Sequence, residues 1–334
     1  MNASVENPQY SAYVISGNTK YDVTSVMESL EIEDREKQIA KSVSINLLNI
    51  KLGDEWLSSL LKVRDRVYIY ANDGKRKEEV FRGYIWVRSY KSSLDSRTLT
   101  LRCYDNLIYF QESEDSEFFA SGKSTRDVIS TLCQKWGVSL EYSYESITHA
   151  KLALRGALSD IFTADILDLV KDRIGKKYVI LSEKDVMKVK GIGDNTTIYT
   201  IKAAQNATGT SSECTMDGMT TKVVILGKAD DDDREPVEAT VNGDTDKYGT
   251  LQKIINRDEN TTLADAKMEA QGILDENGKP KWEYTATCAD IPWIRKGDKV
   301  YVSAGDLLNS YIVNGIERRI QNSKKEMTLT LTDI

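Results

Sequence analysis

Histidine, proline and cysteine are scarce in this chain of 334 residues, and each scarcity excludes a class of protein. The single histidine, His149, cannot supply a histidine-based metal set. The four cysteines, Cys103, Cys133, Cys214 and Cys288, lie far apart with no CxxC pair, which excludes a zinc finger and a disulfide scaffold. Only 4 prolines, beside 40% hydrophobic residues, exclude an intrinsically disordered chain. No apolar run approaches the roughly 20 residues that cross a bilayer, so membrane insertion is not expected. The opening MNASVENPQY lacks the charged-then-apolar layout of a signal peptide, and synthesis and first folding are expected in the cytoplasm. There is no basic excess either: 45 Lys+Arg stand against 52 Asp+Glu, a net charge of −7. Sequence-specific nucleic-acid binding is therefore not expected, because gripping a phosphate backbone needs Lys and Arg.

Tyrosine is abundant, 17 against 5 Phe, and suits strands buried on one side and wet or partnered on the other. At roughly 100 to 200 residues per domain the length predicts two or three domains. Polar and apolar residues alternate in Ser42–Leu47, Val67–Tyr70, Tyr84–Val87 and Thr98–Cys103, the period of half-buried strands, with a turn at Asn72-Asp73-Gly74. A short amphipathic helix is expected around Asp54–Leu61. Ser124 then caps a helix whose apolar face is Val128, Ile129, Leu132, Cys133 and Trp136, ended by Gly137. A second helix runs from about Thr163 to Gly175, followed by a strand at Tyr178–Leu181. Strands return at Tyr199–Ile201, Lys222–Leu226, Trp282–Cys288, Lys299–Val302, Tyr311–Ile316 and Met327–Leu331, interrupted by a helix over about Thr262–Leu274. The expected fold is mainly β with α/β insertions, built as two related antiparallel β-barrel domains in one chain. The first spans residues 1–122, an α/β insertion spans 123–190, and the second spans 191–334 with a helical insertion at about 245–280.

Several motifs that suggest chemistry have plainer readings. Gly122-Lys123-Ser124-Thr125 ends like a phosphate-binding loop, but the Gly that should stand five residues earlier is Glu117, and an N-cap explains the Ser and Thr. Gly191-Ile192-Gly193-Asp194-Asn195 lacks the strand-Gly-helix context of a dinucleotide site and reads as a turn. Asp230–Asp233 lacks the alternating ligands and bidentate Glu of a calcium loop and reads as a solvated loop. His149 has no nucleophile-elbow pattern near it and reads as a surface or structural histidine. No catalytic, metal or cofactor-binding residue is assigned, and no enzyme activity is expected.

The most informative feature is a repeat. Val63–Ile69 recurs as Arg295–Val302, pairing Asp65 with Asp298 at a spacing of 298 − 65 = 233. Gly83 in Phe81–Ile85 matches Gly315 in Val313–Ile316 at 315 − 83 = 232, and Leu99 in Thr98–Leu101 matches Leu329 in Thr328–Leu331 at 329 − 99 = 230. Three ordered matches at nearly constant spacing indicate duplication of one strand scaffold. A closed trimer of such chains presents six similar units around its axis.

Several stretches then carry a resemblance: Leu61–Val67; Leu99–Leu107; Gly122–Thr125 leading into a helix that ends Lys135-Trp136-Gly137; Met219–Lys228; and Ile294–Val300. Their order, the duplication and the length together resemble the baseplate hub proteins of contractile tails, in the form found in phages, defective prophages and phage-tail-like bacteriocins of Gram-positive bacteria. The resemblance spans nearly the whole chain and rests on no single motif. It implies a non-enzymatic homotrimer whose two barrels per subunit form a pseudo-sixfold ring joining the hexameric tail tube to the trimeric central spike. The implied partners are the tail tube protein, the central spike protein, baseplate wedge proteins and a tape-measure protein in the lumen. The implied location is the tail baseplate of a virion or phage-tail-like particle made in a bacterial host. Tyr68, Tyr70 and Tyr84 are expected in core or subunit contacts. The charge of a trimer, 3 × −7 = −21, suggests an acidic lumen that lets cargo pass. The alternatives are a tail-associated cell-wall hydrolase and a cell-wall binding module.

Overall fold

The computed structural model describes residues 7–94, 96–228, 235–257, 261–321 and 324–334. It divides into two compact units, one running to Ser211 and resuming at Thr285, the other Ser212–Tyr284. The fold is mainly β, and its dominant feature is one sheet of thirteen strands.

Twelve of those strands form two sets of six. The first set is β1 (Gln9–Ser16), β2 (Met27–Asp34), β3 (Ser42–Leu48), β4 (Arg66–Asn72), β5 (Lys77–Ser92) and β6 (Arg97–Tyr104). The second is β7 (Tyr199–Lys202), β8 (Ala207–Thr215), β9 (Lys281–Ala289), β10 (Lys299–Ala304), β11 (Leu307–Gln321) and β12 (Lys324–Thr332). The thirteenth, Thr19–Asp22, folds back on β1. The first set pairs in the order β2-β3-β6-β5-β4-β1 and the second in the order β8-β9-β12-β11-β10-β7. Adding six to each label of the first order reproduces the second. The sets differ at one end, where β1 runs antiparallel to β4 but β7 runs parallel to β10. They join where β2 pairs antiparallel with the second half of β11.

Strict alternation makes these strands. In β3, Val43, Ile45 and Leu47 are fully buried while Ser42, Ser44 and Asn46 point the other way. Leu99, Leu101 and Cys103 of β6 and Met327, Leu329 and Leu331 of β12 continue the buried face. At roughly 25 cal/mol per Å² of apolar area, such side chains each contribute about 1.5–3 kcal/mol.

The segment following β6 has its own core. Strand Glu114–Phe119 pairs antiparallel with Leu152–Ala157, and Tyr178–Glu183, Val186–Gly191 and Ser139–Tyr142 form a second small sheet. Helix α1 (Thr125–Lys135) begins as the sequence predicts, with the Ser124 hydroxyl accepting from Asp127 N at 3.1 Å. It buries Val128, Ile129 and Leu132 beside Phe110 and Phe162. The next helical run starts at Leu158, earlier than expected, because a widened π-helical stretch, Ile161–Leu167, turns Ile161, Phe162, Ile166 and Leu167 all inward. Gly175 ends it at φ 71°, as a C-terminal glycine does. The helix expected at Asp54–Leu61 is only the turn Leu57–Leu60, because Gly53, at φ 66°, closes a hairpin between Lys51–Leu52 and Glu55–Trp56.

In the second unit, strand Lys222–Leu226 lies between antiparallel Val237–Asn242 and parallel Gln252–Asn256. Helix α2 (Leu263–Asn277), capped by Thr262, packs Ala266, Ala270 and Leu274 onto Val223 and Ile225. The helical insertion read at about 245–280 is thus one part of a compact unit of its own, with its own strands.

Candidate assembly surfaces

The two aspartates of the repeat make the same turn. Asp65 Oδ2 accepts from Lys62 N at 2.7 Å, and Asp298 Oδ2 accepts from Arg295 N at 2.8 Å. Each turn passes through a left-handed residue, Arg64 at φ 71° and Gly297 at φ 83°. Arg64 N donates to Ile85 O at 2.7 Å and Ile85 N to Asp65 O at 2.9 Å, while Gly297 N donates to Val313 O at 2.7 Å and Val313 N to Asp298 O at 2.9 Å. Asp298 is the more buried of the two and also meets Lys190 Nζ at 3.3 Å.

Both long hairpins carry a bulge immediately after these contacts, between Ile85 and Val87 in one and between Val313 and Gly315 in the other. Superposing the bulges gives a spacing of 313 − 85 = 228. In that register Leu329 aligns with Leu101, and Leu99 with Met327; Gly315 aligns with Val87, and Gly83 with Tyr311. This differs from the pairing of Gly83 with Gly315 and of Leu99 with Leu329 in the sequence. A slip of two residues in a Thr-Leu-Thr-Leu run leaves every side chain on the same face, so the pattern does not distinguish the registers. The glycines also serve different needs: a Cβ on Gly83 would collide with the Tyr104 carbonyl, whereas one on Gly315 would meet the Thr330 side chain at 3.4 Å.

The repeats are joined by buried ions. Arg318, on the inward face of β11 between Ile316 and Ile320, donates to Asp290 Oδ1 at 3.0 Å and to the carbonyls of Ile291 (3.1 Å) and Ile294 (2.8 Å). Tyr10 donates to the other Asp290 oxygen. Asp34, at the end of β2, meets Lys296 Nζ at 2.9 Å and Lys41 Nζ at 3.8 Å, and Lys296 also donates to the carbonyls of Arg35 and Gln38. Burial works to raise the Asp34 carboxyl, but Lys296 and Lys41 outweigh it and hold it below its ordinary value. Asp105 accepts from Lys41 N and Leu107 N, both at 3.0 Å, and burial pushes its carboxyl up to about 7. The sequence reading passed over this network. Its one signal was a charge at an inward-phase position, Asp34 after Leu30 and Ile32, and Arg318 between Ile316 and Ile320.

The opposite face of the sheet is a carpet of hydroxyls and amides. Thr100 Oγ1 donates to Asn46 Oδ1 at 2.7 Å, Asn46 Nδ2 donates to Ser29 Oγ at 2.8 Å, and Thr287 and Thr328 share a bond at 3.2 Å. Its charges are of both signs, Arg319 meeting Glu31 at 3.1 Å and Glu317 beside it. Tyr70 stacks edge-on against Tyr13, and Tyr84 against Tyr109, so these expected contact residues pack within the chain.

The motifs that resemble chemical sites are filled by the chain itself. Gly122 N and Thr125 N, which a phosphate would need, donate to His149 O (3.0 Å) and Ile147 O (2.9 Å). His149 is buried, with Nε2 2.9 Å from Thr125 Oγ1, and burial followed by the Arg173 charge lowers its pKa. Thr125 is fully buried and also bonded to the Ile147 backbone, so this hydroxyl–imidazole pair has no access to a substrate. Gly193 N donates to Gly297 O at 2.8 Å, and Asn195 exchanges two bonds with the Lys299 backbone, which makes the glycine turn a strut under the Asp298 turn. Asp230–Asp233 lies outside the described residues. Among those described, no helix is long and apolar enough to cross a membrane.

Comparison with known proteins agrees with this architecture. A family model described as YQBQ-like matches residues 22–332. The phage-like element PBSX protein XkdQ of Bacillus subtilis (strain 168) is 23% identical over 314 residues, 92% of this chain and 93% of XkdQ. The crystal structure of a tail protein from Neisseria meningitidis MC58 superposes with a TM-score of 0.71 at 16% identity, covering 97% of this chain and 96% of that one. The E. coli c3393 protein, a type VI secretion component described as structurally similar to the T4 tail proteins gp27 and gp5, superposes with a TM-score of 0.57 at 10% identity, covering 92% of this chain and 74% of that one.

Proposed function

This chain belongs to the YQBQ-like family, and from that premise we propose that it is a non-enzymatic structural protein of a phage-type tail, the hub of its baseplate. In this reading residues 1–122 and 191–334 supply the two ring-forming barrels and residues 123–190 an insertion that stays strictly threefold. Three chains form a homotrimeric, pseudo-sixfold ring that meets the hexameric tail tube on one side and the trimeric spike on the other, with wedge proteins around it and the tape-measure protein passing through. The single observation that carries the reading is the strand order found twice, β2-β3-β6-β5-β4-β1 and β8-β9-β12-β11-β10-β7. Two like scaffolds in one chain let three copies meet a sixfold partner with six nearly equivalent contacts. The relatives that carry tail names support the setting. The hydroxyl-rich sheet face, on which Glu31, Glu33 and Glu317 gather beside Arg319, suits an acidic lumen wall that does not hold its cargo.

Cryo-electron microscopy of assembled particles tests the proposal. Three copies are expected about the tail axis at the junction of tube and spike. Six copies, a single copy, or a position away from that junction would overturn it, as would peptidoglycan clearing by the purified chain that one carboxylate substitution abolishes.

A further inference from the structure

The two sets of strands differ in which edges are covered. The second half of β11 is paired on both sides, with β12 and with β2. Its counterpart, the stretch of β5 beyond the bulge, pairs with β6 only, since β4 ends its pairing at Tyr84. Likewise β2 lies between β3 and β11, but its counterpart β8 pairs only with β9 and forms the end of the sheet. The two open edges are the counterparts of the two edges that join inside the chain. Both are exposed: Val87 is 40% and Tyr90 48% accessible, and β8 is exposed along most of its length.

We propose that the open edge of β5, residues 87–92, pairs antiparallel with β8 of a second copy of this chain, repeating between copies the β11·β2 junction within each. The inference rests on the hub reading for copy number and adds the contact that closes the ring. Its register follows from the repeat. Lys91 stands where Arg319 stands, 319 − 91 = 228, and Arg319 faces Glu31. The Ser211–Thr285 contact at 2.6 Å and the Thr287–Thr328 contact at 3.2 Å set Ser211 in the place of Glu31. Lys91 of one copy therefore faces Ser211 of the next. The same count sets Ser89 opposite Glu213, between the cations Arg88 and Lys91. Such a head-to-tail contact generates a closed ring when its rotation divides the circle. The Arg88 and Lys91 charges also keep the edge from pairing indiscriminately in the free chain.

Disulfide trapping in assembled particles tests the register. Directly opposed antiparallel residues have Cα atoms about 4.5–5.5 Å apart, within the span of a disulfide. In a Cys214→Ser background, Lys91→Cys with Ser211→Cys is expected to give covalent dimers and closed trimers on mild oxidation. The internal control, Glu31→Cys with Arg319→Cys, is expected to lose its free thiols at monomer mass. Particles holding three copies whose control oxidises but whose 91/211 pair does not cross-link would overturn the pairing and leave the hub reading standing. A copy number other than three would overturn the hub reading instead. The unsubstituted chain gives a second readout: amide exchange at residues 87–92 is expected to slow at least tenfold on assembly, and unchanged exchange there also overturns the pairing.

Discussion

Strand β11 is held along its second half by two neighbours and β5 by one, although both follow the same turn, the same bulge and the same strand order. The residues along them have diverged accordingly. Where β11 places Arg318 inward against Asp290, β5 places Tyr90, about half exposed; where β11 places Ile320, β5 places Ser92. One copy of the scaffold is finished inside the chain and the other is left polar and open. Duplication conserves backbone geometry more closely than it conserves side-chain partners, because the ladder of main-chain bonds is indifferent to which side chains ride on it.

The comparison breaks first at Arg318 and Tyr90. Arg318→Ala leaves the Asp290 carboxylate buried without its cation and is expected to cost about 3–5 kcal/mol in urea unfolding. Tyr90→Ala in the unassembled chain is expected to change stability by less than about 0.5 kcal/mol. Equal losses would show that the two positions are not as differently placed as their burial indicates.

A second contrast is between the two chain segments that leave β6 and β12. Asp105 is buried after β6, and Asp333 is exposed after β12. Because burial raises the Asp105 carboxyl from its ordinary value to about 7, its contribution is fully present below about pH 4 and is lost as pH rises through 7. Comparing Asp105→Asn with the parent chain by thermal unfolding between pH 5 and 8, the variant is expected to gain relative to the parent as pH rises, by up to about 3 kcal/mol.

Glycine sharpens the register. Gly83→Ala drives a methyl into the Tyr104 carbonyl and is expected to cost about 1–3 kcal/mol. Gly315→Ala meets the Thr330 side chain at 3.4 Å and the Asp34 carbonyl at 3.7 Å, ordinary contacts, and is expected to cost under about 1 kcal/mol. Equal losses in chemical denaturation would favour the register read from sequence, which makes the two glycines equivalent, over the one aligned on the bulges. The smallest contrast concerns the paired turns: Asp298→Ala, which also strands Lys190, is expected to lose about 1–2 kcal/mol, and Asp65→Ala, more exposed, about half as much.

Much of the architecture was legible before any coordinates. Alternation located β3 to β7 and β9 to β12, the Ser124 cap located α1 and the apolar pattern from about Thr262 located α2, and Asp65 and Asp298 pointed to the repeat. Those signals are local: a period of two, a hydroxyl before an apolar face, an aspartate closing a four-residue turn on its own backbone. Strands β1, β2 and β8, most strands of the small sheets, and the buried ions between the repeats escaped, because what makes them visible lies across the sheet.

The sequence by itself therefore determined the strongly patterned elements and the signal of their repetition, since each of these is specified by contacts within a few residues of chain. Only the tertiary structure decided the register of the two halves, the Tyr10–Asp290 and Asp34–Lys296 contacts that lock them, and the two counterpart edges left open. These depend on which strands lie side by side, and a period of two carries no record of its neighbour.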